Sequence, residues 1–295
     1  MPAVPAAGGA VGSHPAPVAA GRGDAAQSLV VTTPFQVLGR MWPLVTAVTL
    51  GMLSLGISLP VIPSRVHDTL GFGTVTVGIT VSMQSLTTLL SRQFAGSVCD
   101  RRGSRPGMLI GTLMASASGL LYLLSAMLPL GAGASLFVLI LGRVAMGVAE
   151  SFVITSGLSW SMSRVRPDQA GQAMAWNGLA FLLAIAVGAP IGTALAGLGG
   201  FGLVGFASML VPLAAFVIGL AQPPMRPVGG KRMSFLRVVR LVALPGSGLL
   251  LANIGFGCLA AFVVLDFQAH GWPGGALALA AYAGAFVVPR LVVGG

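Results

Sequence analysis

The chain has 295 residues, of which 55% are hydrophobic and only 7% charged, and its mean hydropathy is +0.93. A soluble domain has no means of covering that much apolar surface with so few charges, so the composition excludes a water-soluble globule and predicts an all-α membrane protein. The net charge of +10 does not point to nucleic acid, because the basic residues stand in short segments beside apolar runs, where membrane topology accounts for them.

In chain order, residues 1–34 are rich in Ala, Gly, Pro and Ser and are expected to form a disordered cytoplasmic N-terminus. They hold no unbroken apolar core ending in a cleavage site, so no signal peptide is read, and the first spanning helix would act as the targeting signal. A spanning helix needs about 20 mostly apolar residues. Eight such stretches follow, at roughly 41–63, 75–95, 107–129, 135–160, 172–196, 202–222, 242–266 and 276–295. Polar or glycine- and proline-rich segments punctuate them. The segment 223–241 is the longest internal connector and the most basic. It is read as a cytoplasmic hinge between a six-helix bundle, 35–222, and the start of a second bundle, 242–295.

Counting basic residues in alternate connectors sets the orientation. One side holds Arg22, Arg40, Arg92, Arg101, Arg102, Arg105, Arg164, Arg166, Arg226, Lys231, Arg232, Arg237 and Arg240, and the other holds Arg65 alone; Arg143 and Arg290 lie within spans. The N-terminus and the 96–105 segment are therefore expected in the cytoplasm. Gly56, Asn177, Gln84 and Asn253 fall within spans, where small residues let helices approach and amides bond across helices. Trp42, Trp272 and Trp160 are read as interfacial anchors, and Asp266 as a solvated residue at an external helix end. Cys99 and Cys258 give no disulfide framework and are read as packing residues, and His14, His67 and His270 are too scattered for a metal site. No resident cofactor is expected, and no G-x-x-x-x-G-K-[ST] loop points to ATP-driven pumping.

A weak internal repeat joins the two ends of the chain. Phe35 and Arg40 precede the first span as Phe235 and Arg240 precede the seventh. A histidine lies in the following connector in each copy (His67, His270), and the next span ends in Arg92-x-x-x-Gly96 or Arg290-x-x-x-Gly294. Parallel halves of this kind belong to secondary transporters.

Two constellations carry chemistry. Gly96, Asp100, Arg101, Gly103 and Arg105 set one acid, arginines and two glycines in a tight connector, read as a loop that latches two bundles through charge and releases them when they rock. A simple positive-inside anchor would need only the arginines. Further on, Arg143, Gly147 and Glu150 recur at i, i+4 and i+7, on one helical face. Ionisable groups at bilayer depth are costly and mark a pathway, a relay or a substrate contact. Arg143 and Glu150 are two turns apart, about 10 Å along the axis, so they are read as two stations of one path. An intramembrane enzyme would need converging nucleophile, base or metal ligands, which the spans do not offer.

The spacing Gly96, Asp100, Arg101, Gly103, Arg105 resembles the G-x-x-x-D-R-x-G-x-R signature between the second and third helices of the major facilitator superfamily (MFS). The text around it, 55–63 and 84–96, is similar to the YhhS/YfcJ-type efflux-like subgroup. The resemblance implies twelve helices in two halves working by alternating access, with helices 1, 2, 4 and 5 lining one side of a cavity. Arg143 and Gly147 match the family's fourth-helix motif for proton coupling. Gly188, Pro190 and Gly192 partly match its fifth-helix glycine-proline motif, in the form G-x-P-x-G. The expected function is proton-coupled efflux of a small organic solute across the bacterial inner membrane, with the lipid bilayer and the solute as partners and no obligatory protein partner. Alternatives are an uncoupled facilitator, an uptake permease, or a non-transporting product, since the chain would be short of the family's last four helices.

Overall fold

The computed structural model describes residues 34–224 and 235–285. Residues 1–33, the connector 225–234 and residues 286–295 lie outside it, and with them the expectations for Arg22, Lys231, Arg290 and Gly294. The same holds for the side chains of Phe35, Phe235 and Asn253. The described elements are helical: α1 (Pro34–Ser58), α2 (Val61–Ser64) continued by a π-turn (Arg65–Thr69), α3 (Thr74–Arg102), α4 (Ser104–Met127), α5 (Ala132–Met162), a 3-10 turn (Pro167–Gln169), α6 (Ala170–Ala221), α7 (Phe235–Ala269) and α8 (Gly275–Ala285).

α6 would be about 80 Å long if straight, more than twice a bilayer's apolar core. It folds back instead at Gly199 and Gly200, whose φ/ψ of −146/21 and 65/−165 are not helical. The break falls within 197–201, where the sequence predicts a connector, and it yields two arms. Four stretches among the described residues are long and apolar enough to cross a membrane, and one of them, Pro167–Ala221, contains both arms of α6. The first span runs further than expected, to Thr69, because α2 and the π-turn continue it past Ser64. α7 likewise begins at Phe235, seven residues before the predicted 242.

α3, over the predicted span 75–95, is not one of these four stretches, yet its two faces are divided in a way that suits lipid. Its inward stripe is Thr80, Gln84, Thr88 and Ser91, all buried, while Leu86, Leu89, Leu90 and Phe94 stand exposed. Polar-in and apolar-out inverts the pattern of a soluble amphipathic helix.

α1 packs along the first arm of α6, α4 lies against α5 and the second arm of α6, and α3 packs on α5. Leu44, Val48 and Met52 of α1 form one core cluster with Met108, Val153, Trp160, Ala180 and Ala184. Trp160 is therefore a core residue, fully buried, and not an interfacial anchor, whereas Trp42 and Trp272 are exposed. A second cluster gathers Ile57, Ile62, Val66, Tyr122, Leu139, Phe201 and Val204. Beside it Arg65 donates from Nη2 to the Ser125 carbonyl at 3.1 Å and lies 5.5 Å over the Phe201 ring. At the opposite, arginine-rich end, Arg105 donates from Nη2 to the Leu220 carbonyl at 2.6 Å, satisfying one of the last carbonyls of α6.

Candidate functional site

The 96–105 segment is not a loop. α3 stays helical through Arg102, the chain turns on Gly103 alone, and α4 starts at Ser104. Gly103 has φ 87 and ψ 169, a conformation that side chains with a Cβ resist. The helix persists because Arg101 and Arg102 occupy its last turn, where positive charge favours the helix dipole. Asp100, Arg101 and Arg102 are exposed, and Arg105 is partly buried. Gly96 makes no close helix approach, since nothing among the described residues lies within 4 Å of where its Cβ would stand. That role falls to Gly107, whose Cβ would collide with Ser156 Oγ. Around it the α3–α4 corner is tied to α5: Cys99 Sγ lies 3.3 Å from Ser156 Oγ, and Ser104 Oγ donates to Ser159 Oγ at 3.0 Å.

Gly188 and Gly192 lie on the first arm of α6 where it crosses α1. A Cβ on Gly188 would stand 2.7 Å from Gly56 backbone carbons, one on Gly192 would meet the Ile57 carbonyl oxygen, and one on Gly56 would meet the Ala184 carbonyl oxygen. The glycine-proline motif thus forms half of a backbone-on-backbone crossing. Pro190, inside the helix, points away from it toward a groove of about 510 Å³ that also touches Thr193, Phe267 and Trp272.

Arg143, Gly147 and Glu150 all face α3. Because α3 and α5 run in the same direction, their contacts fall in register as a ladder. Arg143, 2% exposed, donates from Nη2 to the Val81 carbonyl at 3.2 Å. Its Nε and Nη1 are buried with no hydrogen-bond partner, and no carboxylate among the described residues pairs with it. One turn on, Gly147 brings the backbones together: a Cβ there would strike the Gln84 carbonyl oxygen and lie 2.8 Å from Thr87 Cβ. Next, Glu150 Oε2 accepts from Gln84 Nε2 at 2.8 Å and from Thr88 Oγ1 at 3.2 Å. The same Thr88 hydroxyl lies within reach of the carbonyls of Gln84 (3.0 Å) and Gly147 (3.1 Å). Gln84 Oε1 is buried without a partner.

The arrangement therefore unites Arg143 with Glu150 on one surface without pairing them directly. It adds two residues from the facing helix. Gln84 stands out in the sequence as a polar residue within a span. Thr88 does not, although its i+4 spacing from Gln84 is the signal that it shares Gln84's face. Asn177 belongs elsewhere, donating to Ser161 Oγ and the Ala173 carbonyl, both at 2.9 Å. Chemically, the ladder offers a carboxylate, two neutral side chains that donate hydrogen bonds to it, and a buried guanidinium with donors to spare. No group of three or more metal-ligating side chains occurs among the described residues.

Comparison with known proteins bears on what such a ladder serves. The Major Facilitator Superfamily family model matches residues 44–295. An uncharacterized MFS-type transporter of Pseudomonas aeruginosa PAO1 is 38% identical over 243 residues, covering 82% of this chain and 60% of its own length. One from Salmonella typhimurium is 38% identical over 247 residues, 83% of this chain and 63% of its own. The uncharacterized MFS-type transporter YhhS of Escherichia coli K12 is 37% identical over 243 residues, 81% and 59% respectively. The chain thus spans about three fifths of the length of these curated relatives. With the multi-helix fold and the signature residues Gly96, Asp100, Arg101, Gly103 and Arg105 in place, the match over most of the sequence shows that this chain belongs to the major facilitator superfamily.

Proposed function

We propose that the protein takes part in proton-coupled export of a small organic solute by alternating access in a bacterial inner membrane, with Glu150 carrying the proton and Arg143 tuning it. The observation that carries the reading is the α3–α5 ladder: a partly buried carboxylate and, two turns away on the same helix face, a buried guanidinium with no carboxylate partner among the described residues. Burying such groups without full pairing costs several kcal/mol, a cost sustained at functional sites. In this reading residues 35–222 form one bundle and 242–295 begin the second, and the arginine-rich end faces the cytoplasm with the N-terminus. The α3–α4 corner, with Asp100, Arg101 and Arg105, steadies the state closed on that side. Gly188 and Gly192 with Gly56 hold α1 and α6 together as one lever. Export as the direction is supported by the likeness to efflux-like permeases alone, an argument by analogy.

Everted membrane vesicles containing the chain test the coupling. With an acid interior reported by a quenched acridine dye, addition of members of a panel of small organic cations and weak acids is expected to restore fluorescence for wild type and not for Glu150→Gln. Equal recovery in the variant removes Glu150 from the mechanism, and recovery in neither leaves the chain without coupled transport of that panel.

A further inference from the structure

Gln84 is 95% buried by the measure of its 5% exposure and is aimed at Glu150. As an amide it holds donors on one end and an acceptor on the other. An ionised Glu150 accepts only, and the structure shows it served by Gln84 Nε2 and Thr88 Oγ1 on one oxygen. Gln84 Oε1 meanwhile is buried with no hydrogen-bond partner among the described residues, and an unmet buried acceptor is costly. A protonated Glu150 needs the reverse, an acceptor for its new O–H. Half a turn of the amide about its last side-chain bond brings Oε1 to that position. Thr88 can then direct its single proton to the carbonyl of Gly147 or of Gln84, both already within 3.1 Å.

We propose that Gln84 is a positioning residue that serves both protonation states of Glu150, giving Nε2 to the carboxylate and, by rotation of its amide, Oε1 to the carboxylic acid. No covalent step is involved: one proton arrives on Glu150, one amide rotates and one hydroxyl changes acceptor. Gln84 thereby spares Glu150 the unpaired state that would otherwise oppose one of the two forms. Charged groups around Glu150 are few. On α5 there is Arg143 two turns away; on α3, Arg92, Asp100, Arg101 and Arg102 are exposed toward the arginine-rich end; α4 carries Arg105 at that same end and Tyr122 toward the other; on α1 the ionisable residue is Arg40 at its start; α6 carries none. Neutral hydrogen bonds are therefore the main close partners of this carboxyl. The inference rests on the reading of Glu150 as a proton carrier.

The test is pH-difference infrared spectroscopy of the full chain in lipid nanodiscs, with glutamine labelled with 13C at its side-chain carbonyl. In wild type, acidification is expected to raise a carboxylic C=O band and, with the same pH dependence, to shift a labelled glutamine band. Gln84→Met should keep the carboxylic band, move it to higher wavenumber and lose the glutamine change. Thr88→Val should retain both signals. A silent glutamine band in wild type, or a Gln84→Met carboxylic band at the wild-type position, overturns the inference while leaving the proton carrier intact. Absence of any carboxylic band that Glu150→Gln removes overturns both. Should Gln84→Met fail to fold, the labelled glutamine band in wild type against Glu150→Gln decides alone: the inference requires that Glu150→Gln abolish its pH response.

Discussion

The α1–α6 and α3–α5 contacts are both made where a glycine lets one backbone rest on another, yet they are finished differently. At the first, Gly56, Gly188 and Gly192 meet among Leu55, Ile57, Ala184, Ile185 and Ala189, all buried and none ionisable. At the second, Gly147 is flanked by Arg143 on one side and by Gln84, Thr88 and Glu150 on the other. Apolar packing closes the α1–α6 crossing at these residues, and a buried hydrogen bond from Ser54 Oγ to the Ser208 carbonyl, 2.9 Å, ties α1 to the second arm. The α3–α5 crossing is closed partly by hydrogen bonds, from Gln84 and Thr88 to Glu150 and from Arg143 to the Val81 carbonyl. The bundle therefore holds one seam closed by apolar packing and one closed by polar and ionisable groups.

The contrast can be broken most severely at Gly56. Gly56→Leu forces a side chain into the Ala184 carbonyl and is expected to cost about 3 kcal/mol, the upper part of the range for overpacking, read as a marked drop in the thermal unfolding midpoint in nanodiscs. A wild-type midpoint would show that the crossing is not the lock described. Arg143→Met should act with the opposite sign, raising stability by about 1–2 kcal/mol, because it removes a buried cation with two orphaned donors. Denaturant or thermal titration beside the vesicle assay measures the pair of effects, and a destabilised variant would mean that the guanidinium holds α3 and α5 together. Gly103→Ala is expected to cost about 1–3 kcal/mol, because φ 87 with ψ 169 is a region essentially only glycine visits, and Asn, suited to the left-handed helical region instead, should fare no better. That series sharpens the comparison by showing how far the register of α3 depends on its end. At the small extreme, Arg166→Ala breaks an Arg166–Asp168 pair whose side chains are more than 60% exposed, and should change the midpoint by about 0.5 kcal/mol or less.

Much of the fold is legible in the sequence, because hydropathy reports burial in lipid directly. The predicted spans match the helices to within a few residues at most ends, and 197–201 contains the bend of α6. Legibility fails where a choice depends on a partner. A run containing Gly96, Ser97, Asp100 and three arginines looks like a loop by composition, but its carbonyls are satisfied within α3 until Gly103, and side chains at a helix end need no apolar surroundings. Trp160 looks like an anchor by position, but α5 turns it toward α1 and α6. In the ladder, Arg143 and Glu150 are visible as charges in an apolar span. Thr88 is not, because a threonine hydroxyl acquires a role only from the rotation of α3 against α5, and no local pattern encodes that angle.

The corner at Gly103 has a mechanical consequence. A connector one residue long contains two rotatable torsions, so it cannot absorb a tilt of α3 as a flexible loop would. Any swing of α3 is handed on to α4, and through Ser104 and Ser159 to α5 as well. The most charged part of the described chain is therefore a short elbow that ties α3, α4 and α5 together at one end.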